Sequence, residues 1–582
     1  MTKNYKCVLA PHHNIPQPIL SILVGRIPKV STVIQDVSEQ TTADESKLDD
    51  DNKDDQDDSW DKDWGWSIDE EPKASNNINN STSDFTHAFG PFTETYMASA
   101  SAGGRHIVLA HKSKFVVVEL NEEEDEYCAL GQGSGCEQED ETITAILCLP
   151  LFVPSIRKNQ MFVMAGYSTG WLRVFSETGT LLTAQLLEPA PILSIKMRTP
   201  PPIYKTVTHT CDDEEITILF EGNRVVSIDG QSLWMVLRVC DGQRESGIDA
   251  SRMQTAFTYK KYELQRQERV RDVVSLGPSP PRSTTTTTTL LDQSNTVSTN
   301  PFLTAATSRY VAVGDAPMIS YYATTESSRP LMSAVSMASY VMSRVTTPVF
   351  SFAKSWWSGN NGSNNNNNSL STSSSPSPYV PSMHAPPSHI EPATPIPSVL
   401  TLNDPERRIT SISMGPISAS SHRSTLAATC DTLGRVILWD VPSGEMIRMW
   451  KGLRDTVCGW VEVAEPDDDQ NDEAAANPLS SGQRTKPARI STFLVIYSER
   501  RGLLLVFHMR HGTRVGMYRV GQGWRLLPCG REPLGSSMVN ADRRRTAMEN
   551  GEGECGCLAK CLLIGPNGEV RSIEIITQEA KK

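Results

Sequence analysis

At 582 residues and 64.1 kDa, the chain is long enough for several ordinary domains or one large repeat architecture with insertions. Only 38% of residues are hydrophobic against 21% charged, with 37 Gly and 37 Pro, so much of the chain falls outside any packed core. The net charge of −13 has one source: Asp36 to Glu71 holds sixteen acidic residues against Lys47, Lys53 and Lys62, and everything else sums to about zero. A general nucleic-acid binder needs a basic excess, and none is present, so no nucleic-acid partner is expected. Twelve cysteines are too dilute for a disulfide scaffold.

Residues 1–35 show no clear element. Pro11, His12, His13 and Pro16 interrupt any signal-peptide pattern, and the apolar run Ile19 to Val24 is far short of the roughly 20 residues that span a bilayer. A cytoplasmic protein without a transmembrane segment is therefore expected. Residues 36–84 form an acidic stretch that continues into Ser/Asn-rich sequence. It carries Trp60, Trp64 and Trp66 in SWDKDWGWSIDEE. A purely solvating acidic tail has no use for three tryptophans. They suit either docking into a basic, apolar groove on a partner or packing back onto the folded part of the chain.

Residues 85–577 contain a repeat. FVMAGYSTGWLRVFSETGTLL from Phe162, LAATCDTLGRVILWDVPSGEMI from Leu426 and FLVIYSERRGLLLVFHMRHGTRV from Phe493 share one pattern. An apolar strand leads to a turn glycine (Gly170, Gly434, Gly502), an aromatic follows five residues later (Phe175, Trp439, Phe507), and a second turn glycine follows that (Gly179, Gly444, Gly512). Weaker copies start at His106, Glu215, Arg309 and Cys561. Antiparallel units repeated in this way predict an all-β, seven-bladed β-propeller of irregular, WD-repeat-like blades, with two β-sandwiches as the alternative. Trp439-Asp440 is the dipeptide with which such blades end a strand. Insertions are expected at 277–301, 327–357, 358–400, 465–489 and 531–557, with a short tail at 578–582, because these stretches lack apolar periodicity or break the blade pattern.

No catalytic signature emerges. There is no GxxxxGK[ST] cradle, no HExxH and no GxSxG. Gly131, Gly133 and Gly135 precede acidic sequence rather than a helix, and Cys555, Cys557 and Cys561 lack a second ligand pair at zinc-finger spacing. No cofactor, metal or catalytic residue is assigned. Two further stretches suggest binding. In RMWKGLRD, Trp450 reads as core, while Lys451, Arg454 and Asp455 read either as a solvated rim or as a partner-facing cluster. Within 327–357, Leu331, Val335, Ala338, Met342, Val345, Val349, Phe352 and Trp356 recur at alternating steps of four and three, one face of a helix opposite a Ser/Thr face. Pro348 kinks or divides that helix. Such a helix packs either on protein or, peripherally, on a curved membrane.

Several stretches together resemble a known family. They are WDKDWGWSIDEE at 60–71, YSTGWLRVFSETGTLLTAQLL at 167–187, SIDGQSLWMVLRVC at 227–240, YKKYELQ at 259–265, YVAVGDAP at 310–317, SSRPLMSAV at 327–335, DTLGRVILWDVPSGEMIRMWKGLRD at 431–455 and FLVIYSERRGLLLVFHMRHGTRVG at 493–516. In this order they are similar to the N-terminal domain of the non-catalytic, regulatory subunit of the Rab-3 GTPase-activating complex. The resemblance implies a cytosolic partner of a separate catalytic subunit, which carries the arginine finger, and of Rab small GTPases. It also implies a role in GTPase activation on Rab-3-type proteins, an association with nucleotide exchange on Rab-18-type proteins, and peripheral contact with the endoplasmic reticulum or vesicles. Family members typically continue with a long helical C-terminal region, whereas this chain stops at Lys582, so a short form or a separately encoded module is expected. The alternative function is a generic propeller scaffold of another trafficking complex.

Overall fold

The computed structural model describes residues 4–10, 13–24, 35–36, 96–135, 140–153, 158–198, 214–245, 257–277, 306–325, 390–416, 426–465, 489–529 and 558–578. The chain begins with β1 (Asn4–Leu9), β2 (His13–Asn14), α1 (Gln17–Val24) and β3 (Gln35–Asp36). A first antiparallel meander follows as β4 (Tyr96–Ala100), β5 (His106–His111), β6 (Lys114–Asn121) and β7 (Glu126–Ser134). The second is β8 (Ile143–Val153), β9 (Lys158–Tyr167), β10 (Trp171–Ser176) and β11 (Leu181–Leu186). The third is β12 (Ile192–Arg198), β13 (Glu215–Phe220), β14 (Arg224–Asp229), α2 (Gly230–Glu245) and β15 (Tyr259–Leu264). The fourth is β16 (Arg269–Gly277), β17 (Ala306–Asp315) and β18 (Ile319–Thr325), with β19 (Thr394–Ile396) preceding its outer strand β20 (Ser398–Leu402). The fifth is β21 (Ile409–Met414), β22 (Leu426–Asp431), β23 (Val436–Asp440) and β24 (Glu445–Trp450). The sixth is β25 (Thr456–Glu465), β26 (Arg489–Ser498), β27 (Leu503–His508) and β28 (Arg514–Arg519), and β29 (Arg525–Cys529), β30 (Lys560–Ile564) and β31 (Glu569–Gln578) end the chain.

The second to sixth meanders form five separate sheets. Two of these gain a fifth strand, β19 beside β15 and β3 beside β28. The sixth sheet is nine-stranded and holds strands from both chain ends, in the order β29-β30-β31-β2-β7-β6-β5-β4 with β1 also on β31. The protein is mostly β, with its sheets in a propeller-like arrangement of blades. Apolar clusters fill the spaces between successive sheets: Val108, Phe115, Met161 and Val163 join the first two meanders, and Ala428, Trp450, Trp460 and Ile496 join the fifth and sixth.

The repeated aromatic has a structural task. Phe175, Trp439 and Phe507 are buried, and each lies at the register shift where the third strand of its meander meets the fourth. A bulge there strengthens the local twist while the ring packs between sheets. Trp439 Nε1 also donates to Thr429 Oγ1 at 2.8 Å. Gly170 adopts φ 86°, and a Cβ there would strike the carbonyl of Glu188, so the turn admits only glycine.

Three features fall outside the repeat pattern. Residues 1–35, where the sequence shows no element, supply β1, whose six residues pair antiparallel with β31 from Asn4↔Gln578 to Leu9↔Ile573. They also supply α1, which buries Ile19, Leu20 and Leu23 against Leu109, Val116, Leu527 and Leu562. The helix α2 starts at the side chain of Asp229, which accepts the Ser232 N–H at 3.0 Å. Its Leu233, Val236, Leu237 and Cys240, at helical spacing, pack into the cluster between the second and third meanders. Residues 394–402, partly inside the expected 358–400 insertion, form β19 and β20.

Candidate interaction surfaces

Several charged side chains among the described residues are taken up between sheets. Glu215 is buried and accepts from Ser227 Oγ at 2.5 Å, Ser275 Oγ at 2.5 Å and Tyr310 Oη at 2.7 Å, joining β13, β14, β16 and β17. Burial, first of all, pushes the Tyr310 phenol well up from its ordinary range, with the nearby Glu215 adding to it. Lys196 Nζ reaches Asp272 Oδ2 at 2.6 Å and the Ile412 carbonyl at 2.9 Å, tying β12, β16 and β21 together. Glu188 pairs with both Arg224 and Lys261. Such buried groups are satisfied where they stand, which makes them mortar for the ring.

One cysteine of the candidate cluster reads the same way. Cys561 is fully buried and lies 3.3 Å from the Trp460 carbonyl, and burial pushes its thiol well up, away from the thiolate form that binds metal or reacts. Cys555 and Cys557 lie outside the described residues. Gly131 and Gly133 belong to β7, where added Cβ atoms would strike the Glu177 carbonyl and the Phe115 ring. Close packing, not phosphate binding, explains them. Among the described residues no group of three His, Cys, Asp or Glu is placed to hold a metal ion.

What remains exposed is concentrated on loops. In each meander the connections from first to second and third to fourth strand leave one end of the sheet, and the others leave the opposite end. The strands that flank 199–213, 246–256, 278–305, 326–389, 417–425, 466–488 and 530–557 are joined across the first end, whereas 37–95 runs between β3 and β4 outside this pattern. The opposite rim has short connections, and Lys451, Arg454 and Asp455 sit there, between β24 and β25. All three are exposed, whereas Trp450 is buried. Trp450 is therefore core, as expected, and the three charges are exposed, an arrangement that a solvated rim and a partner-facing cluster share.

Backbone and side-chain hydrogen bonds connect this loop and its neighbours to one another. Thr432 N–H donates to the Arg408 carbonyl at 3.0 Å and Leu453 N–H to the Gly434 carbonyl at 2.7 Å. Ser498 Oγ donates to the Arg454 carbonyl at 2.8 Å, Glu499 N–H to the Asp455 carbonyl at 3.0 Å, and Gln522 Nε2 to the Arg500 carbonyl at 2.8 Å. Gly434 must be glycine here, because at φ 81° an added Cβ would lie 2.6 Å from Arg454 Cγ. The result is one continuous platform carrying Arg408, Lys451, Arg454, Arg500 and Arg501, all exposed. Leu433, on the β22–β23 loop of the same rim, is 43% exposed. The arginines of the Glu499–Gly502 turn were visible in the repeat as a glycine turn only; their proximity to Lys451 is a tertiary fact.

Trp60, Trp64 and Trp66 lie outside the described residues, as do Leu331, Val335, Met342, Val345, Val349, Phe352 and Trp356. Among the described residues no helix is long and apolar enough to cross a membrane.

Fold and surfaces together define the class: a propeller-like β protein whose buried charges hold its sheets together and which carries five exposed cations on neighbouring loops of one rim. A family model described as Rab3 GTPase-activating protein regulatory subunit N-terminus matches residues 93–527, and the chain belongs to that family. The resemblance drawn from the sequence motifs is thereby established, although WDKDWGWSIDEE precedes the matched residues. Among solved structures, Sqt1 of Saccharomyces cerevisiae is similar at 10% identity over 83% of each chain, with a TM-score of 0.35. Raptor of Chaetomium thermophilum is similar at 8% identity over 83% of this chain and 28% of its own, with a TM-score of 0.36. Likeness at that level carries no functional argument.

Proposed function

We propose that this chain is a non-catalytic regulatory module of a Rab GTPase-regulating complex, binding a separate catalytic subunit and contributing to GTPase activation on Rab-3-type proteins. Nucleotide exchange on Rab-18-type proteins, and peripheral attachment at the endoplasmic reticulum or vesicle membranes from the cytoplasm, belong to the same reading. The family match over residues 93–527 carries it. The scaffold is read as a seven-bladed propeller in which the nine-stranded sheet is two blades: β4 to β7, and β29 to β31 completed by β1. The bridge of β2 to both β31 and β7, and the apolar cluster of Ile107 and Leu109 with Leu527 and Leu562, favour that reading.

Lys451, Arg454 and Asp455 are assigned to partner contact, supported by their exposure on the hydrogen-bonded rim. Trp60, Trp64 and Trp66 are assigned as aromatic anchors, and the face of Leu331, Val335, Met342, Val345, Val349, Phe352 and Trp356 as a helix for the partner or the membrane. Affinity purification tests the whole: a catalytic Rab-regulating subunit co-purifies with the chain. Replacing all three tryptophans by Ala weakens that association by more than about 2 kcal/mol, as for other aromatic hot spots. Absence of any such subunit from the purified complex rejects the reading.

A further inference from the structure

We infer that the rim of short connections docks an extended, acidic peptide segment of a partner protein, with an apolar side chain of that segment entering the mouth of the ring. The inference rests on the assignment of Lys451, Arg454 and Asp455 to partner contact and adds the chemistry of what they contact. The first strands of successive sheets lie against one another in turn and surround one opening: β4 on β8, β8 on β12, β12 on β16, β16 on β21, β21 on β25, β25 on β29 and β29 on β4. β12, β21 and β25 are entered from the rim of short connections, and the second residue of each, Leu193, Thr410 and Val457, is exposed. Leu193 at 38% and Val457 at 45% are thus apolar side chains left in water beside the opening.

Arginines stand at the entrances of three consecutive first strands. Arg269 opens β16, Arg408 directly precedes β21, and Arg454 comes two residues before β25. Arg271 pairs with Asp315 at 2.8 Å, and Arg407 with Asp404 at 3.4 Å and Asp431 at 3.6 Å. Among the described residues none of Arg269, Arg408, Lys451, Arg454, Arg500 and Arg501 forms an ion pair. With Arg266 they outnumber the exposed anions of the same connections, Glu268, Glu406, Asp455 and Glu499. The hydrogen bond from Arg271 holds the Asp315 carboxyl below its ordinary value, and Arg408 and Arg269 add to that effect, so these cations share one side of the ring. The Arg501 guanidinium lies against the β24–β25 loop, where a Cβ on Gly452 would stand 3.2 Å from Nη2. By contrast, the β9–β10 and β11–β12 connections across the ring carry no exposed cation. An anionic chain gains attraction here without breaking existing pairs. A bilayer surface stops at the loops, whereas an extended peptide can cross the rim and lower one apolar side chain beside Val457 or Leu193.

The test uses the full chain and fluorescence anisotropy. The probes are a labelled polyglutamate peptide with one central leucine and the same peptide with serine in that place. The leucine peptide is expected to bind at least about threefold more tightly than the serine peptide, and Val457→Ser to abolish the difference. Arg408→Gln with Arg454→Gln and Arg500→Gln is expected to weaken both peptides at least about tenfold, whereas Lys114→Gln, on the same rim at the β5–β6 turn, leaves them unchanged. All these side chains are exposed, and an unshifted thermal midpoint shows that each variant has folded. Absence of peptide binding overturns the inference, and so does equal binding of the two peptides or equal binding by the natural chain and the arginine variant. If phosphatidylserine vesicles retain the natural chain but not the arginine variant while neither peptide binds, the rim belongs to a membrane and the inference fails. Co-purification of a catalytic subunit is read separately, so that reading can stand while this one fails, and the reverse.

Discussion

Single residues hold this ring together through donors and acceptors that have nowhere else to go. Glu215 illustrates the point, because three hydroxyls from three strands converge on one buried carboxylate. Tyr310→Phe removes one charge-assisted hydrogen bond and leaves a fully buried site one donor short. The expected loss is about 1.5–3 kcal/mol, read from denaturant midpoints with unchanged slope. His106 makes a second case. Burial holds its imidazole below the ordinary value of 6.5, although Glu119 at 3.4 Å pulls the other way. As pH falls through that ordinary value, the unfolded chain takes up a proton that the folded one refuses, so stability declines until the folded value is also passed. His106→Asn should flatten that decline when urea unfolding is followed from neutral pH to about pH 5. An undiminished decline would assign the acid sensitivity to other groups.

At the scale of elements, the strand β1 carries more than its six residues suggest. It covers the outer edge of β31, buries Cys7, and offers the Cys7 carbonyl to Tyr518 Oη at 2.5 Å, reaching into the neighbouring sheet. Deleting residues 1–10 leaves β31 with an open edge and that hydroxyl without its acceptor. The truncated chain is expected to lose more than about 5 °C of thermal midpoint and to aggregate through the bared edge, as calorimetry and light scattering would record. A midpoint that does not move would mean that the sheet is complete without β1. The helix α2 works differently: it fills the boundary between two meanders with Leu233, Val236, Leu237 and Cys240 while leaving Met235 at 41% and Val239 at 43% exposure on its outer side.

For the molecule as a whole, the segregation of connections decides where partners can approach. Within the second to sixth meanders the long connections leave one rim, and the other presents short loops bearing Arg408, Lys451, Arg454, Arg500 and Arg501. The sequence contains no GxxxxGK[ST] motif, and the family is that of the regulatory subunit. The purified chain by itself is therefore expected to raise GTP hydrolysis by any Rab less than about tenfold, against the 10³–10⁵ of an arginine finger. Single-turnover assays with several Rabs check this, and larger stimulation would place a finger on this chain.

The sequence alone determined the β repeat, because a turn glycine needs positive φ and a strand between sheets needs an aromatic at a fixed offset; Gly434 and Trp439 declare both locally. Family membership was legible for the same reason, since motif order is a property of the chain. Trp450 could be assigned to the core from its neighbours, and the acidic origin of the net charge from counting. Other features depend on residues far apart in the chain. β1 lacks a pattern of its own because its partner lies more than five hundred residues away, at β31. α2 hides in an apolar stretch that suits strand or helix equally until Asp229 caps it. The rim platform is assembled from four loops, no one of which is strikingly basic, and only closure of successive sheets brings Arg408, Arg454 and Arg501 onto one surface. Short-range sequence encodes turns and strands, whereas which strand closes which sheet, and which charges meet, is set by packing at long range.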